Sequence, residues 1–139
     1  MTTISKSLDN PLKQLTRFGQ SIWLDYIRRS LLTSGELRGM VEQDGLGGMT
    51  SNPSIFEKAI VGGDEYADLL GQLKKDKTLS SKDIFEKLAI RDIQDAADLL
   101  RPVYKQSQKR DGYVSLEVAP TLAPRMSECR RLATETRKR

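Results

Sequence analysis

The sequence predicts a helix-rich α/β fold built from about three βα units with parallel strands. Short apolar strand candidates recur at residues 21–25 (SIWLD), 48–51 (GMTS) and 113–118 (YVSLEV). The stretches between them carry apolar residues at helical spacing, not in alternation. Both connections also exceed the dozen or so residues that a parallel crossover needs. No internal repeat is visible and no long flexible linker divides the chain, which reads as one unit.

Asn10-Pro11 opens a short helix over PLKQLTRFG, with Leu12, Leu15 and Phe18 at helical spacing and the proline suited to a first helical turn. SIWLD follows as a brief apolar run ending in an acid, compatible with a buried parallel strand. Residues 26–41 carry Ile27, Leu31, Leu37 and Met40 on a helical pattern broken at Thr33-Ser34-Gly35, where Ser34 is placed to cap a second helical piece. Asp44-Gly45-Leu46-Gly47-Gly48 reads as a turn into the second strand. Asn52-Pro53-Ser54 then starts a helix over IFEKAIVGG that Gly62-Gly63 ends. A further helix covers 64–75, with Tyr66, Leu69, Leu70 and Leu73 on one face. The strongest periodic signal runs over 81–108, where Ile84, Leu88, Ile93, Ala97, Leu100 and Tyr104 form a stripe and Pro102 loosens the last turns. These helical stripes are read as core. Asp111-Gly112 turns the chain into YVSLEV, rich in strand-favouring residues.

With 139 residues the chain suffices for one domain and falls well short of the roughly 250 of a complete (β/α)8 barrel. Nowhere does it approach the roughly 20 apolar residues of a membrane span, and its start, MTTISKSLDNPLKQL, lacks the pattern of a secretory signal, so a cytoplasmic location without membrane association is expected. The lone Cys129 fits a reducing compartment and has no partner for a metal site. Histidine is absent, which excludes Ser-His-Asp and Cys-His catalysis and leaves acid–base work to carboxylates, lysine or tyrosine. The net charge of +4 resides wholly in residues 121–139, which hold six basic and two acidic side chains, so the preceding body is neutral. A basic tail without interleaved aromatics is a poor nucleic-acid footprint, and no nucleic-acid partner is expected.

Ligands of parallel βα folds sit at the carboxyl ends of the strands. The three strands end in or beside Asp25, Asn52 and Glu117. Two carboxylates and an amide at one mouth suit proton transfer and hydroxyl recognition on a polar small molecule, with partial burial tuning at least one carboxylate. An aspartate after a strand also commonly caps the next helix, and Asn before Pro is an equally common cap. Glu117 is less easily read as structural, since Val114, Leu116 and Val118 surround it.

GMTSNPSIFEKAI (48–60) and RDGYVSLEVAP (110–120), together with SIWLDYIRRSLL (21–32), resemble the transaldolase pattern, particularly its longer bacterial type. The resemblance runs from about residue 11 to 120, with the motifs in the family's order. It implies a partial TIM (β/α)8 barrel, with residues 1–120 as its N-terminal part and 121–139 as a basic tail, disordered or a helical remnant. The implied activity is transfer of a dihydroxyacetone unit between sugar phosphates of the pentose phosphate pathway through a lysine Schiff base, with no metal or organic cofactor. Asp25 resembles the family's acid–base and hydroxyl-contacting aspartate. Glu117 resembles the glutamate that works with a bound water in proton transfer, and Asn52 the substrate-binding asparagine. Ser51 and Ser54 flank Asn52 in the same substrate-binding motif.

The family's lysine lies some three to four dozen residues beyond that glutamate, on an apolar strand. Nothing of that kind occurs among the 139 residues. Lys138 follows Glu117 by only 21 positions, in a basic run without strand character. A solvated lysine has a pKa near 10.4 and is a poor amine nucleophile. The expectation is therefore a chain truncated before the Schiff-base lysine and inactive alone, or else an interaction module that associates through an open barrel edge.

Overall fold

The computed structural model describes residues 10–62, 64–117 and 127. The basic segment expected at 121–139, with Cys129 and Lys138, lies outside them apart from residue 127, as does Val118. Elements follow in the order α1 (Pro11–Gln14), β1 (Ile22–Asp25), α2 (Arg29–Thr33), α3 (Glu36–Gly39), β2 (Leu46–Ser51), α4 (Pro53–Gly62), α5 (Ala67–Leu73), α6 (Ser81–Gln106) and β3 (Tyr113–Leu116). A 3-10 turn (Leu15–Phe18) extends α1, a π turn (Met40–Asp44) extends α3, and a second 3-10 turn (Asp64–Tyr66) leads into α5.

The three strands form one sheet in the order β1-β2-β3, and both pairings are parallel. Asp25 pairs with Thr50, and Ser51 with Leu116, so the strands end together at one rim. One face of the sheet is packed. Met49 and, partly, Ile22, Leu24, Val114 and Leu116 meet a core of Leu31, Leu37, Leu88, Ile93 and Leu100 from the helices. Phe56 of α4 stands edge-on to Tyr66 and Phe85, with ring centroids 6.1 and 5.6 Å away, a favoured aromatic geometry.

The opposite face is open, which corrects the expectation that residues 21–25 form a buried strand. β1 alternates between half-buried and exposed, and Trp23 is 38% exposed. Its strand packs helices on one side only, among the described residues. The same cause overturns the reading of the α1 stripe as core: Leu12, Leu15 and Phe18 are all exposed. What holds this segment is polar. Asn10 caps α1 by accepting from the Leu12 amide at 2.9 Å, and its side-chain amide donates to Asp44 Oδ1 at 2.7 Å.

β2 begins two residues earlier than the expected 48–51, because Leu46 and Gly47 are strand residues, not a turn. A Cβ on Gly48 would stand 2.5 Å from the Trp23 indole. The glycine is there for close approach, the usual reason for one inside a strand. At the expected cap Ser34, the residue before α3 is Gly35 in a left-handed conformation, and the Ser34 hydroxyl accepts from the Glu36 amide at 3.2 Å one position upstream. α6 starts on a full capping box between Ser80 and Asp83 and continues past Pro102 without a break. The alanine of its stripe that reaches the core is Ala96, not Ala97.

A buried polar cluster joins the helices. Asp92 of α6 is fully buried, and its carboxylate accepts from the Tyr66 hydroxyl at 2.6 Å and pairs with the Arg29 guanidinium. The Tyr66 oxygen accepts in turn from the Arg29 amide at 3.0 Å, and Arg29 reaches Asp95 at 3.4 Å. Burial pushes the Asp92 carboxyl up, against the downward pull of the Tyr66 hydroxyl and Arg29. Burial, followed by Asp92 itself, raises the Tyr66 phenol well above its ordinary value, so Tyr66 remains a donor.

Removing one member of such a pair strands the other charge. Arg29→Met should cost about 3–5 kcal/mol in urea unfolding, whereas the double change Arg29→Met with Asp92→Leu should recover much of that loss. Two glycines should diverge in the same assay. Gly112 has φ +87°, and an added Cβ would meet the Tyr104 backbone at 2.3 Å; Gly112→Ala should destabilise by about 1–3 kcal/mol or more. Gly71 in α5 has nothing within 4 Å, so Gly71→Ala should stabilise by about 0.5–1 kcal/mol.

Candidate active site

The rim of the sheet gathers the expected residues. Trp23, Gly48 and Tyr113 share one register layer, and Asp25, Thr50 and Ser115 share the next. Side chains alternate along a strand, so each layer faces the open side. Asn52 and Glu117 follow directly on the last residues of β2 and β3. Asp25, Asn52 and Glu117 are thereby brought to the carboxyl end of three neighbouring strands.

Each is held differently. Asp25 does not cap α2, whose N-cap position is Arg28. Its Oδ1 instead accepts from the Thr50 hydroxyl at 2.6 Å, directly across the β1–β2 pair. Asn52 is a cap: its Oδ1 accepts from the Ser54 amide at 3.1 Å and the Ile55 amide at 3.4 Å. That leaves its side-chain NH2 without a hydrogen bond among the described residues, and so able to donate to a ligand. Glu117 sits just past the end of β3 and is exposed, not inside a strand as expected, and it borders a small cavity lined by Ile27, Phe56 and Ile93. Its amide donates to Ser51 Oγ at 3.0 Å.

Partial burial of a site carboxylate was expected, yet Asp25 and Glu117 are both exposed. The carboxyl that burial shifts is Asp92, in the helix layer, where sequence periodicity marked only apolar positions. Ser51 stands on the opposite face from Asp25, 5% exposed, with its hydroxyl engaged by β3. Ser54 is exposed at the start of α4. Thr50 escaped the sequence reading, although strand alternation places it on the face opposite Met49 and Ser51. Among the described residues no three of His, Cys, Asp or Glu gather as a metal site, and no helix is long and apolar enough to cross a membrane.

The chain is an α/β protein of the class that receives ligands at the carboxyl rim of parallel strands. It belongs to the transaldolase/fructose-6-phosphate aldolase family, whose model matches residues 22–139. It is 47% identical over 131 residues to Transaldolase 2 of Nostoc punctiforme, covering 91% of this chain and 34% of that protein. Against the transaldolase of Thiobacillus denitrificans it is 48% identical over 114 residues, 82% of this chain and 32% of the relative. Transaldolase 2 of Streptomyces coelicolor is 41% identical over 116 residues, 84% of this chain and 31% of the relative. The chain thus spans about a third of the length of the curated relatives it matches.

The cap at Asn52 can be separated from any ligand role. Asn52→Ala should cost about 1 kcal/mol in thermal or urea unfolding, and Asn52→Asp, which keeps the accepting oxygen, should cost far less.

Proposed function

We propose that this chain supplies the proton-transfer and hydroxyl-binding side of a transaldolase site and has no transaldolase activity by itself. The observation that carries the reading is the arrival of Asp25, Asn52 and Glu117 at one rim, at the carboxyl ends of three neighbouring parallel strands. The reaction is transfer of a dihydroxyacetone unit between sugar phosphates in the cytoplasm, through a lysine Schiff base and without metal or organic cofactor. Asp25 and Glu117 exchange protons with the substrate hydroxyls and the carbinolamine, Glu117 through a water. Asn52 donates its amide NH2 to a substrate oxygen while its carbonyl holds α4. Ser54, at the first turn of α4, extends that contact.

The Schiff base is the route of the reaction itself, so a site without its amine is not merely a slower one. β1, β2 and β3 carry no lysine. Borohydride treatment of the chain with fructose 6-phosphate should therefore yield no covalent adduct, read by intact mass. A stoichiometric adduct on Lys138 would overturn the claim of inactivity.

The open sheet favours a second reading, as a part-barrel module that associates with another polypeptide. Both β1 and β3 have one edge unpaired among the described residues, and Trp23 and Tyr113 are exposed on the open face. Unpaired edges of this kind template further strands. Adding a polypeptide with the remaining two thirds of a transaldolase barrel should restore activity and adduct formation on its lysine. If co-purification shows no complex, the module reading fails.

A further inference from the structure

We infer that Ser51 is a positioning residue for Glu117 and makes no contact with substrate. The inference rests on the proton-transfer role proposed for Glu117, but its geometry stands independently.

Ser51 is the last residue of β2, and its hydroxyl completes the sheet where the regular ladder stops. Oγ donates to the Ser115 carbonyl at 3.1 Å and accepts from the Glu117 amide at 3.0 Å. One side chain thus grips the backbone on both sides of Leu116, its own register partner. A serine hydroxyl has a single donor, and that donor is spent on Ser115. With 5% of the residue exposed, the group also cannot be reached from the open face. It borders a cavity of about 30 Å³ that Ile27, Phe56, Phe85, Ile93 and Glu117 itself also line, on the helix side of the sheet.

This grip sets where the Glu117 side chain begins. β3 has only four residues and the chain leaves the sheet directly after Leu116. Without the hydroxyl, the Glu117 amide and the Ser115 carbonyl lose a shared partner at the point where the strand is weakest. A shift of about 1 Å in an acid–base group can cost about 100-fold in rate.

The test compares Ser51→Ala and Ser51→Thr. Threonine keeps the hydroxyl, suits a strand, and has the small cavity beside it to receive its methyl group. In the chain alone, amide hydrogen exchange at Glu117 should accelerate about tenfold or more in Ser51→Ala, with Met49 and Val114 little changed, and Ser51→Thr should retain protection. Unchanged protection at Glu117 would overturn the grip. In the complex with a polypeptide completing the barrel, Ser51→Ala should lower kcat by about 10- to 100-fold and leave KM for fructose 6-phosphate within about threefold, with Ser51→Thr near the parent. A raised KM at unchanged kcat would make Ser51 a substrate contact and overturn the inference. Should the parent complex show no activity, the proposed function fails while the exchange measurement still decides the grip.

Discussion

The contact on which this fold depends is the ion pair of Arg29 and Asp92, closed by the Tyr66 hydroxyl. Arg29 opens the helix after β1, Tyr66 ends the turn after α4, and Asp92 lies in the middle of α6. Three segments distant in sequence meet in one cluster that apolar packing alone would leave free to slide. A buried charge is costly unless its hydrogen bonds are complete. Here the carboxylate receives both a hydroxyl and a guanidinium, and the hydroxyl oxygen receives a backbone amide. The helix layer is therefore specified geometrically as well as driven together.

That layer covers one face of the sheet and leaves the other for chemistry. Because side chains alternate, a single choice of which residues face the helices decides the whole rim. Met49 and Ser51 face inward, so Thr50 faces out with Asp25 beside it. The exposed carboxylates follow from the same geometry.

Much of this was legible in the sequence. The three strands, their parallel order and the rim positions of Asp25, Asn52 and Glu117 follow from helical spacing between short apolar runs and from the resemblance of the motifs. What was not legible turns on tertiary contact. Glycine in a strand looks like glycine in a turn, and only the Trp23 ring over Gly48 distinguishes them. Asp92 falls on the apolar side of α6, where periodicity marks a core position but not a charge whose partners lie 26 and 63 residues away. Leu12, Leu15 and Phe18 follow the pattern of a core helix, because a spacing rule records which residues share a face and not what that face meets. For Ser51, membership of a binding motif suggested a ligand contact, while strand alternation turns it to the helices.

The indole lying across Gly48 gives the molecule an optical property. Trp23 is the single tryptophan of the sequence and stands 38% exposed on the open face, two residues before Asp25. Its fluorescence therefore reports on the polarity of one surface only, the one that any completing strands would enclose. Water against that surface gives red-shifted, readily quenched emission; a covering layer of protein gives blue-shifted, shielded emission. The crowding that forbids a side chain at position 48 thus furnishes a native gauge of whether the sheet stands open or enclosed.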